Sequence, residues 1–584
     1  MTERRPPWYT LLNKYHWFVL AVAALGWLFD TMDQQLFLMA RIPAMRELLA
    51  PSPGAIADQG DVDKYSGIAT AIFLMGWAAG GLFFGVLGDR IGRAKTMLLT
   101  ILLYSLCTGL SAFSIGFWDF AAYRFVTGLG VGGEFAVGVA LVAEVMPAAA
   151  RPFALGLLQA LSAVGNISAA LINNAMGEIA EQGLFDEIEL FGIQLTAWRA
   201  MFLVGTLPAL LAVVVRGRLK EPDTWQTAKA EAGVEGEKRK FGSYSELLGT
   251  PIWRKRALVG LAIAIAGVIG LWGIAFFSFD LARSVFRKGY EAEYRASGLA
   301  DADRDLLRLT LREGAIPQGS EGANPADLKP VDFLDSAPGA ADAQSLWSGV
   351  LSLHNAGKPI EREALLKAAA TASKREARNP DVASAARAAR EKYLAGDPES
   401  ADVASLTETI KRRSAELGGN LTEWVGYSSM LFNAGAFFGI YAFTLFTDRV
   451  GRRAAFAVAF LAAAGATVFT FLMIDRRVDA LWMMPILGFC TLAPFGGYAI
   501  YFPELFPTHL RSTGTSFCYN VGRFLSASGP LTLGYLTGEV FVDTQEPLRW
   551  AGIAMCATFA VGLLALPFAP ETKGQPLPDG SLLH

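Results

Sequence analysis

Five ionisable side chains stand within otherwise apolar runs of this 584-residue chain: Asp30, Asp33, Arg124, Glu134 and Arg523. In hydrocarbon such a charge costs about 3 kcal/mol or more unless it is paired or hydrated, which makes each a functional candidate. A carboxylate beside a guanidinium suits proton handling. Burial favours the neutral acid, the cation favours its charged form, and separating the two loads a proton. Asp30 and Asp33 are three residues apart and share one helix face. At 1.5 Å per residue from Trp17, they lie about 20 and about 24 Å into their run. Arg124 stands in the first third of a run that starts at Asp119 and enters from the other side, so Asp33 is its better match in depth. Glu134 falls near the middle of that run, either as a further proton carrier or as a glycine-flanked packing residue. Arg523, well inside its own run, could grip a solute carboxylate through two parallel hydrogen bonds or pair with a protein acid. Trp77, Gln159, Asn166, Trp272, Tyr427, Tyr519 and Asn520 offer aromatic and amide lining for a solute site.

These groups need an apolar scaffold, and the composition supplies one. Hydrophobic residues make up 53% of the chain and charged residues 18%, with mean hydropathy +0.34, more apolar than an ordinary globular chain. Residues 283–422 hold 41 of the 105 Asp, Glu, Lys and Arg, so the remainder is poor in charge. This reads as an all-α, multi-pass membrane protein with one hydrophilic insertion. About 20 apolar residues cross a bilayer core. Twelve stretches qualify: Trp17–Ala40, Tyr65–Leu87, Thr96–Trp118, Asp119–Met146, Phe153–Met176, Ala200–Val215, Ala257–Phe279, Val425–Thr447, Ala454–Ile474, Ala480–Pro503, Ser512–Leu536 and Trp550–Pro570. Arg4, Arg5 and Lys14 before the first run imitate a signal peptide. The run passes through Asp30 and Asp33 without a small-residue cleavage site, so it reads as a retained span.

The basic residues of the short loops set the orientation. Arg90, Arg93, Lys95, Arg151, Arg449, Arg452, Arg453 and Arg511 fall on one side with both termini, which is therefore expected to be cytoplasmic, at a bacterial inner membrane. The predicted organisation is a six-helix half (1–216), a cytoplasmic linker (217–256), helix 7 (257–282), an insertion (283–422), helices 8–12 (423–570) and a cytoplasmic tail (571–584). The insertion falls outside the membrane. Its Ala-rich stretches Glu361–Arg378 and Val382–Leu394 predict a small helical domain; the alternative is a partly disordered loop.

The halves repeat each other. Asp89-Arg90-Ile91-Gly92-Arg93 recurs as Asp448-Arg449-Val450-Gly451-Arg452, and Glu144-x-x-Pro147-x-x-x-Arg151 as Glu504-x-x-Pro507-x-x-x-Arg511. Glu221-Pro222 and Pro570-Glu571 close the two halves alike. Two similar six-span halves imply a pseudo-twofold axis along the membrane normal, with a ligand site between them near mid-depth.

Gly85-x-Leu87-x-Asp89-Arg90-x-Gly92-Arg93-x-Lys95 resembles the signature loop of the major facilitator superfamily, and its copy carries Thr444 in place of the leading glycine. The tail Pro570-Glu571-Thr572-Lys573-Gly574 resembles that of sugar and organic-acid porters. Gly26-Trp27-Leu28-Phe29-Asp30-Thr31-Met32-Asp33 is similar to the acidic first span of aromatic-acid and sialate/monocarboxylate proton symporters. Gly128-x-Gly130-x-Gly132-Gly133-Glu134 and Tyr519-Asn520-x-Gly522-Arg523 are similar to spans four and eleven of those groups. Residues 270–277 lack the Gln pair of sugar porters. The resemblance implies twelve helices and alternating access. It also implies that Asp33 or Asp30 exchanges partners with Arg124 as a proton comes and goes. It further implies a cytoplasmic latch built from Gly85, Asp89, Arg90, Gly92, Arg93, Glu144, Arg151, Asp448, Arg449, Gly451, Arg452, Glu504 and Arg511.

The expected function is proton-coupled symport of a small organic acid or sugar acid. The alternatives are a sugar facilitator or exporter of the same fold and a nutrient sensor that does not transport. An enzyme is not expected: the insertion has one histidine, His354, no cysteine and no phosphate-binding glycine loop. Four scattered histidines and four cysteines in apolar runs predict neither a metal site nor a cofactor. Net charge of −3 predicts no nucleic-acid partner. The partners expected are a solute, protons and the bilayer, with an unidentified partner conceivable at the insertion.

Overall fold

The computed structural model describes residues 6–50, 58–185, 188–234, 241–296, 403–526, 528–544 and 546–578. They belong to two units. The first comprises Met1–Leu49, Lys64–Val285 and Val425–His584; the second comprises Ala50–Asp63 and Phe286–Trp424. In the second unit the described residues are helical turns, with the Phe286 and Trp424 rings edge to face at 6.0 Å. Residues 297–402, which include both helices predicted in the insertion, lie outside the described residues.

The first unit is helical apart from one hairpin, Glu189–Leu190 (β1) against Ile193–Gln194 (β2). Its helices in chain order are α1 (Lys14–Leu48), α2 (Gln59–Ile91), α3 (Arg93–Ser111), α4 (Phe117–Val145), α5 (Arg151–Glu181), α6 (Ala197–Val204) and α7 (Pro208–Arg218). Two short helices follow, α8 (Asp223–Val234) and α9 (Tyr244–Gly249), and then α10 (Pro251–Ile269) and α11 (Phe276–Ala296). The chain resumes with α12 (Val403–Val450), α13 (Arg452–Met473), α14 (Arg477–Leu505), α15 (Arg511–Ser516), α16 (Gly522–Ser526), α17 (Ser528–Tyr535), α18 (Pro547–Met555) and α19 (Thr558–Ala565). Helices α2, α11 and α12 extend beyond the first unit at one end.

Among the described residues, nine helices are long and apolar enough to cross a membrane by length and composition. Three other stretches read as spans are interrupted helices. The chain breaks at Gly205–Leu207 between α6 and α7, and widens into π-helical turns at Gly270–Ala275 and Phe517–Val521. Such turns leave backbone groups without their regular partners, which hydrocarbon tolerates only where protein or a cavity surrounds them. Large apolar side chains such as Phe83, Leu106, Leu210, Leu461, Phe524 and Leu564 point outward and exposed, a surface suited to lipid.

Side-chain caps repeat between the two sets of helices. Asp119 accepts from the backbone N–H groups of Ile115 (2.8 Å) and Gly116 (2.9 Å) ahead of α4. Asp479 accepts from those of Asp475 (3.1 Å) and Arg476 (2.8 Å) ahead of α14. Both helices then approach a neighbour through small residues. A Cβ at Gly128 or Gly132 of α4 would meet the α2 carbonyls of Phe73 or Trp77, and one at Gly488 of α14 the α12 carbonyl of Phe432. Close backbone approach of this kind drives helix association where burial from water is unavailable. Helix α4 is the most enclosed of the nine, which places Arg124 and Glu134 at the centre of the bundle.

Candidate functional site

Asp33 and Arg124 are both fully buried, and their nearest atoms, Oδ2 and Nη1, stand 3.8 Å apart. Each is held by its other atoms. Thr108 of α3 donates to Asp33 Oδ1 at 2.7 Å. Arg124 donates from Nε and Nη2 to Ser111 Oγ at 3.0 and 2.7 Å. The guanidinium also lies over the Phe202 ring at 4.6 Å and the Phe37 ring at 5.6 Å. The two facing atoms are buried and make no hydrogen bond. The other arginine–carboxylate pairs among the described residues close to 2.5–3.0 Å. This pair is adjacent but not locked, an arrangement in which a proton on the carboxylate sacrifices no hydrogen bond between the partners. Gly205, at the break between α6 and α7, lies beside it: a Cβ there would sit 3.3 Å from Asp33 Oδ1.

Asp30 is one helical turn away and equally buried. It is within electrostatic range of Glu134 on α4, Asp33 on its own helix and Arg523 on α16. Glu134 fits only because residue 26 is glycine, since a Cβ there would collide with the Glu134 carboxylate. None of the four carboxylate oxygens of Asp30 and Glu134 makes a hydrogen bond. The Arg523 guanidinium stacks on the Trp77 ring at 3.7 Å and on Tyr519 at 4.5 Å.

Arg523 also borders a cavity of about 70 Å³ between the N-terminal and C-terminal helices. Its aromatic walls are Trp27, Phe279, Phe432, Phe495 and Tyr519. Its amides are Gln34 and Gln35 from α1, Gln159 and Asn166 from α5, and Asn433 from α12. Asn166 Nδ2 donates to Asn433 Oδ1 at 2.8 Å across the two sets. By the space one water requires, such a cavity holds roughly five water-sized occupants, the scale of a small organic solute.

Of the solute-lining residues expected from the sequence, Gln159, Asn166, Tyr519 and Arg523 reach this cavity and Trp77 supports Arg523 from behind. Two expectations need correction. Tyr427 is 45% exposed and does not line the cavity. It precedes Asn433 by six residues on α12, a rotation of about 240° that carries it to another face. Asn520 is buried against Gly81 of α2 and donates to Ser516 O and Oγ at 3.2 and 3.0 Å, outside the cavity. The Trp272 side chain lies outside the described residues. Sequence reading passed over Gln34, Gln35 and Asn433, although an amide inside an apolar run was a usable signal.

At the end of the bundle that carries the repeated loops, the two helix sets are tied together. Glu144 Oε1 receives Arg93 Nη2 at 2.9 Å from the N-terminal set and Arg511 Nη1 at 2.7 Å from the C-terminal set. Asp89 pairs with Arg93 at 3.0 Å. It also accepts from the backbone of Ser512 (3.1 Å) and Thr513 (2.8 Å) and from Thr513 Oγ1 (2.6 Å), capping the start of α15. Arg90 donates to the Phe241 and Gly242 carbonyls of the linker, both at 3.2 Å.

The second copy of the motif keeps to its own side. Arg452 forms a two-pronged pair with Glu504 at 2.8 and 3.0 Å, while Arg151 Nε donates to the Ala143 carbonyl at 2.7 Å. Asp448 is half-buried and Arg449 exposed. The reason is visible in the repeat: the positions matching Ser512 and Thr513 are Pro152 and Phe153, which offer neither the first N–H nor the hydroxyl. Gly92 and Gly451 adopt φ of +116° and +96°, which admit glycine, ahead of α3 and α13. Glu221 and Glu571 then cap those helices, Glu221 through Ala94 and Lys95 (both 3.1 Å) and Glu571 through Arg452 (2.9 Å) and Arg453 (3.2 Å). Burial alone would raise the Glu571 pKa, but these donors, Lys573 N–H and the Arg452 charge outweigh it and hold the carboxyl below its usual range.

The departure at Thr444 has a packing explanation. A Cβ at Gly85 would strike Ser516, and a Cβ at Gly156, the position equivalent to Ser516, would strike Thr444. In both contacts the N-terminal set supplies the glycine and the C-terminal set the hydroxyl residue. Gly156→Ser should overpack its contact at about 1–3 kcal/mol and lower the melting temperature in detergent, and Thr444→Gly added to it should restore most of the loss. Equal melting temperatures for the single and double variants would contradict this account.

Residues 19–300 match the profile of the Major Facilitator Superfamily and residues 431–580 that of "Sugar (and other) transporter". A Haemophilus influenzae protein named for metabolite transport is 30% identical over 286 residues, 48% of this chain and 63% of that protein. The niacin transporter NiaP of Acinetobacter baylyi is 32% identical over 212 residues, 36% of this chain and 42% of its own length. The chain thus spans less than two thirds of these relatives. The proton:xylose symporter XylE of E. coli, bound to 6-bromo-6-deoxy-D-glucose, superposes with a TM-score of 0.54 over 97% of this chain and 99% of its own, at 14% identity, a likeness of fold. With both copies of the signature loop in place on an all-helical fold, the chain belongs to the major facilitator superfamily of membrane transporters.

Proposed function

We propose that this protein is a secondary active transporter that carries a small organic acid together with protons by alternating access. The observation that carries the reading is the unlocked, fully buried Asp33–Arg124 pair on α1 and α4, together with a cavity that α1 also lines, through Trp27, Thr31 and Gln34, and that a buried guanidinium, Arg523, borders. A carboxylate solute in the cavity reaches Arg523 and gains charge-assisted hydrogen bonds. The aromatic walls suit a planar ring, and the amides of Gln34, Gln159 and Asn433 suit its polar substituents. A relative named for niacin, itself a ring monocarboxylate, supports this class. In this reading the loop end faces the cytoplasm with both termini, at an inner membrane. The arrangement described is then closed toward the cytoplasm through Glu144 and Asp89. Asp33 takes a proton as the solute binds, frees Arg124, and returns the proton inside.

The test is purified protein in liposomes loaded with a pH-sensitive dye, challenged with nicotinate, benzoate, a sialic acid and neutral sugars. Proton entry that follows a carboxylate and not a sugar is the expected result. Arg523→Gln should raise KM for that acid about 10- to 100-fold, the range for losing one charge-assisted contact. Tracer exchange of a neutral sugar without proton movement would replace symport with facilitation. Ligand binding without flux for any solute would make the protein a sensor.

A further inference from the structure

The charges buried between the two ends of the bundle are unequal in number. Among the described residues they are three carboxylates, Asp30, Asp33 and Glu134, and two guanidiniums, Arg124 and Arg523. Arg41 and Asp280, less buried and within electrostatic range of each other, add no net charge, and Arg283, also near Asp280, is exposed and outside this group. Asp33 and Arg124 balance as a pair. That leaves Asp30 and Glu134 facing the single charge of Arg523. From the other elements around them come Tyr104 of α3, Tyr519 of the π-helical turn and the backbone of α1 at Gly26, none of which adds a positive charge. Both carboxylates are fully buried; the Thr100 hydroxyl of α3 faces Glu134 but donates to the Met97 carbonyl at 2.9 Å, and no positively charged group other than Arg523 faces either acid among the described residues. Two neighbouring acids so placed do not both ionise in a medium of low dielectric.

We infer that Asp30 and Glu134 hold one proton between them throughout the transport cycle and act as a single counter-charge to Arg523. The inference rests on the symport reading above and fixes its stoichiometry. The empty core is neutral: one negative charge on the Asp30–Glu134 pair offsets Arg523, and Asp33 offsets Arg124. A monocarboxylate brings one further negative charge, and one proton on Asp33 cancels it. The reorienting core then carries one proton and one monoanion inward, with no net charge. A core crossing with an uncompensated charge would meet the full cost of burying it. The same arithmetic makes uptake of a neutral solute with one proton electrogenic.

The test uses the full chain in proteoliposomes with nicotinate and benzoate as probes. The membrane potential is clamped by potassium and valinomycin, and an inward pH gradient of one unit is imposed. The expected result is accumulation approaching tenfold, the same at zero and at inside-negative potential, with no substrate-dependent current. Glu134→Gln replaces the shared proton with an amide; it should slow uptake yet leave one proton per anion and no current. Accumulation that rises with inside-negative potential would show a second proton moving and overturn the inference while leaving symport intact. So would a Glu134→Gln protein that exchanges tracer but no longer takes up protons. Absence of proton entry with either probe would instead bring down the symport reading and this inference with it.

Discussion

Asp33→Asn is expected to abolish uphill accumulation of the transported acid while leaving tracer exchange measurable. The substitution keeps the shape of the side chain and its capacity to accept from Thr108, whose hydroxyl now lies 2.7 Å from Oδ1. It removes the charge that faces Arg124 at 3.8 Å and the carboxylate there able to gain and lose a proton. With a one-unit pH gradient, a protein that moves one proton per solute concentrates it about tenfold, and the variant should stop at equal concentrations inside and out. Arg124 would remain fully buried beside a neutral amide, held by Ser111, the Cys107 carbonyl and the Phe202 and Phe37 rings. Its uncompensated charge makes the empty site more attractive to an anion, so KM should fall rather than rise. Gradient-driven accumulation unchanged in Asp33→Asn would remove this pair from the coupling mechanism. A variant that neither accumulates nor exchanges, yet elutes as a monodisperse protein, would assign the pair to the reorientation step instead.

Depth along a helix and repetition along the chain were readable before any coordinates, because a constant rise per residue and a fixed offset survive folding. The 3.8 Å approach of Asp33 to Arg124 follows from the first. The loop pairs Asp89/Asp448 and Glu144/Glu504 follow from the second; Glu221 and Glu571, 350 residues apart rather than 359 or 360, are matched by their place beside proline at the close of each half, and their acceptor role shows only where the Gly92 and Gly451 turns place helix starts beside them. What failed was rotation. Tyr427 is offered as lining by residue type within an apolar run, and a helix turns about 100° per residue, so membership of the run carries no information about the face. Interruptions were also hidden, because a π-helical turn adds one residue without altering composition; Phe517–Val521 turns Tyr519 and Arg523 to the cavity and Asn520 to α2. The matching roles of Arg199, which donates to Ala112 and Ser114 carbonyls, and Arg549, which donates to those of Phe471 and Ile474, escaped notice for another reason. Their offset is 350 residues, so the 359 and 360 of the loop motifs do not align them.

Glu144→Gln should produce the second large effect, by opening the end of the bundle that the repeated loops close. Glu144 is 8% exposed and its Oε1 is shared by Arg93 and Arg511, one from each helix set. Arg93 keeps Asp89 at 3.0 Å after the substitution. Arg511 keeps only neutral oxygens, those of Pro503, Thr508 and Pro578. Leaving one guanidinium buried without its carboxylate costs about 3 kcal/mol, which shifts the balance between closed and open states by roughly 100-fold. Ser516 reports on that balance, since it is fully buried and donates to the Gly81 carbonyl across the closure. In a background with Cys107, Cys490, Cys518 and Cys556 replaced by Ser, a Ser516→Cys thiol should react slowly with a membrane-impermeant maleimide and fast once Glu144→Gln is added. Thr513→Val, which deletes the 2.6 Å hydrogen bond to Asp89 with its longer 3.4 Å branch to the Gly85 carbonyl and leaves every charge in place, should raise the rate by a smaller factor, about fivefold for about 1 kcal/mol. The ordering of the two variants separates a latch from a fold defect: a merely destabilised protein would lose its melting transition in step with the labelling, whereas an unlatched one gains labelling with the transition intact. Labelling that stays slow in both variants would mean that the shared Glu144 contact does not hold this end closed.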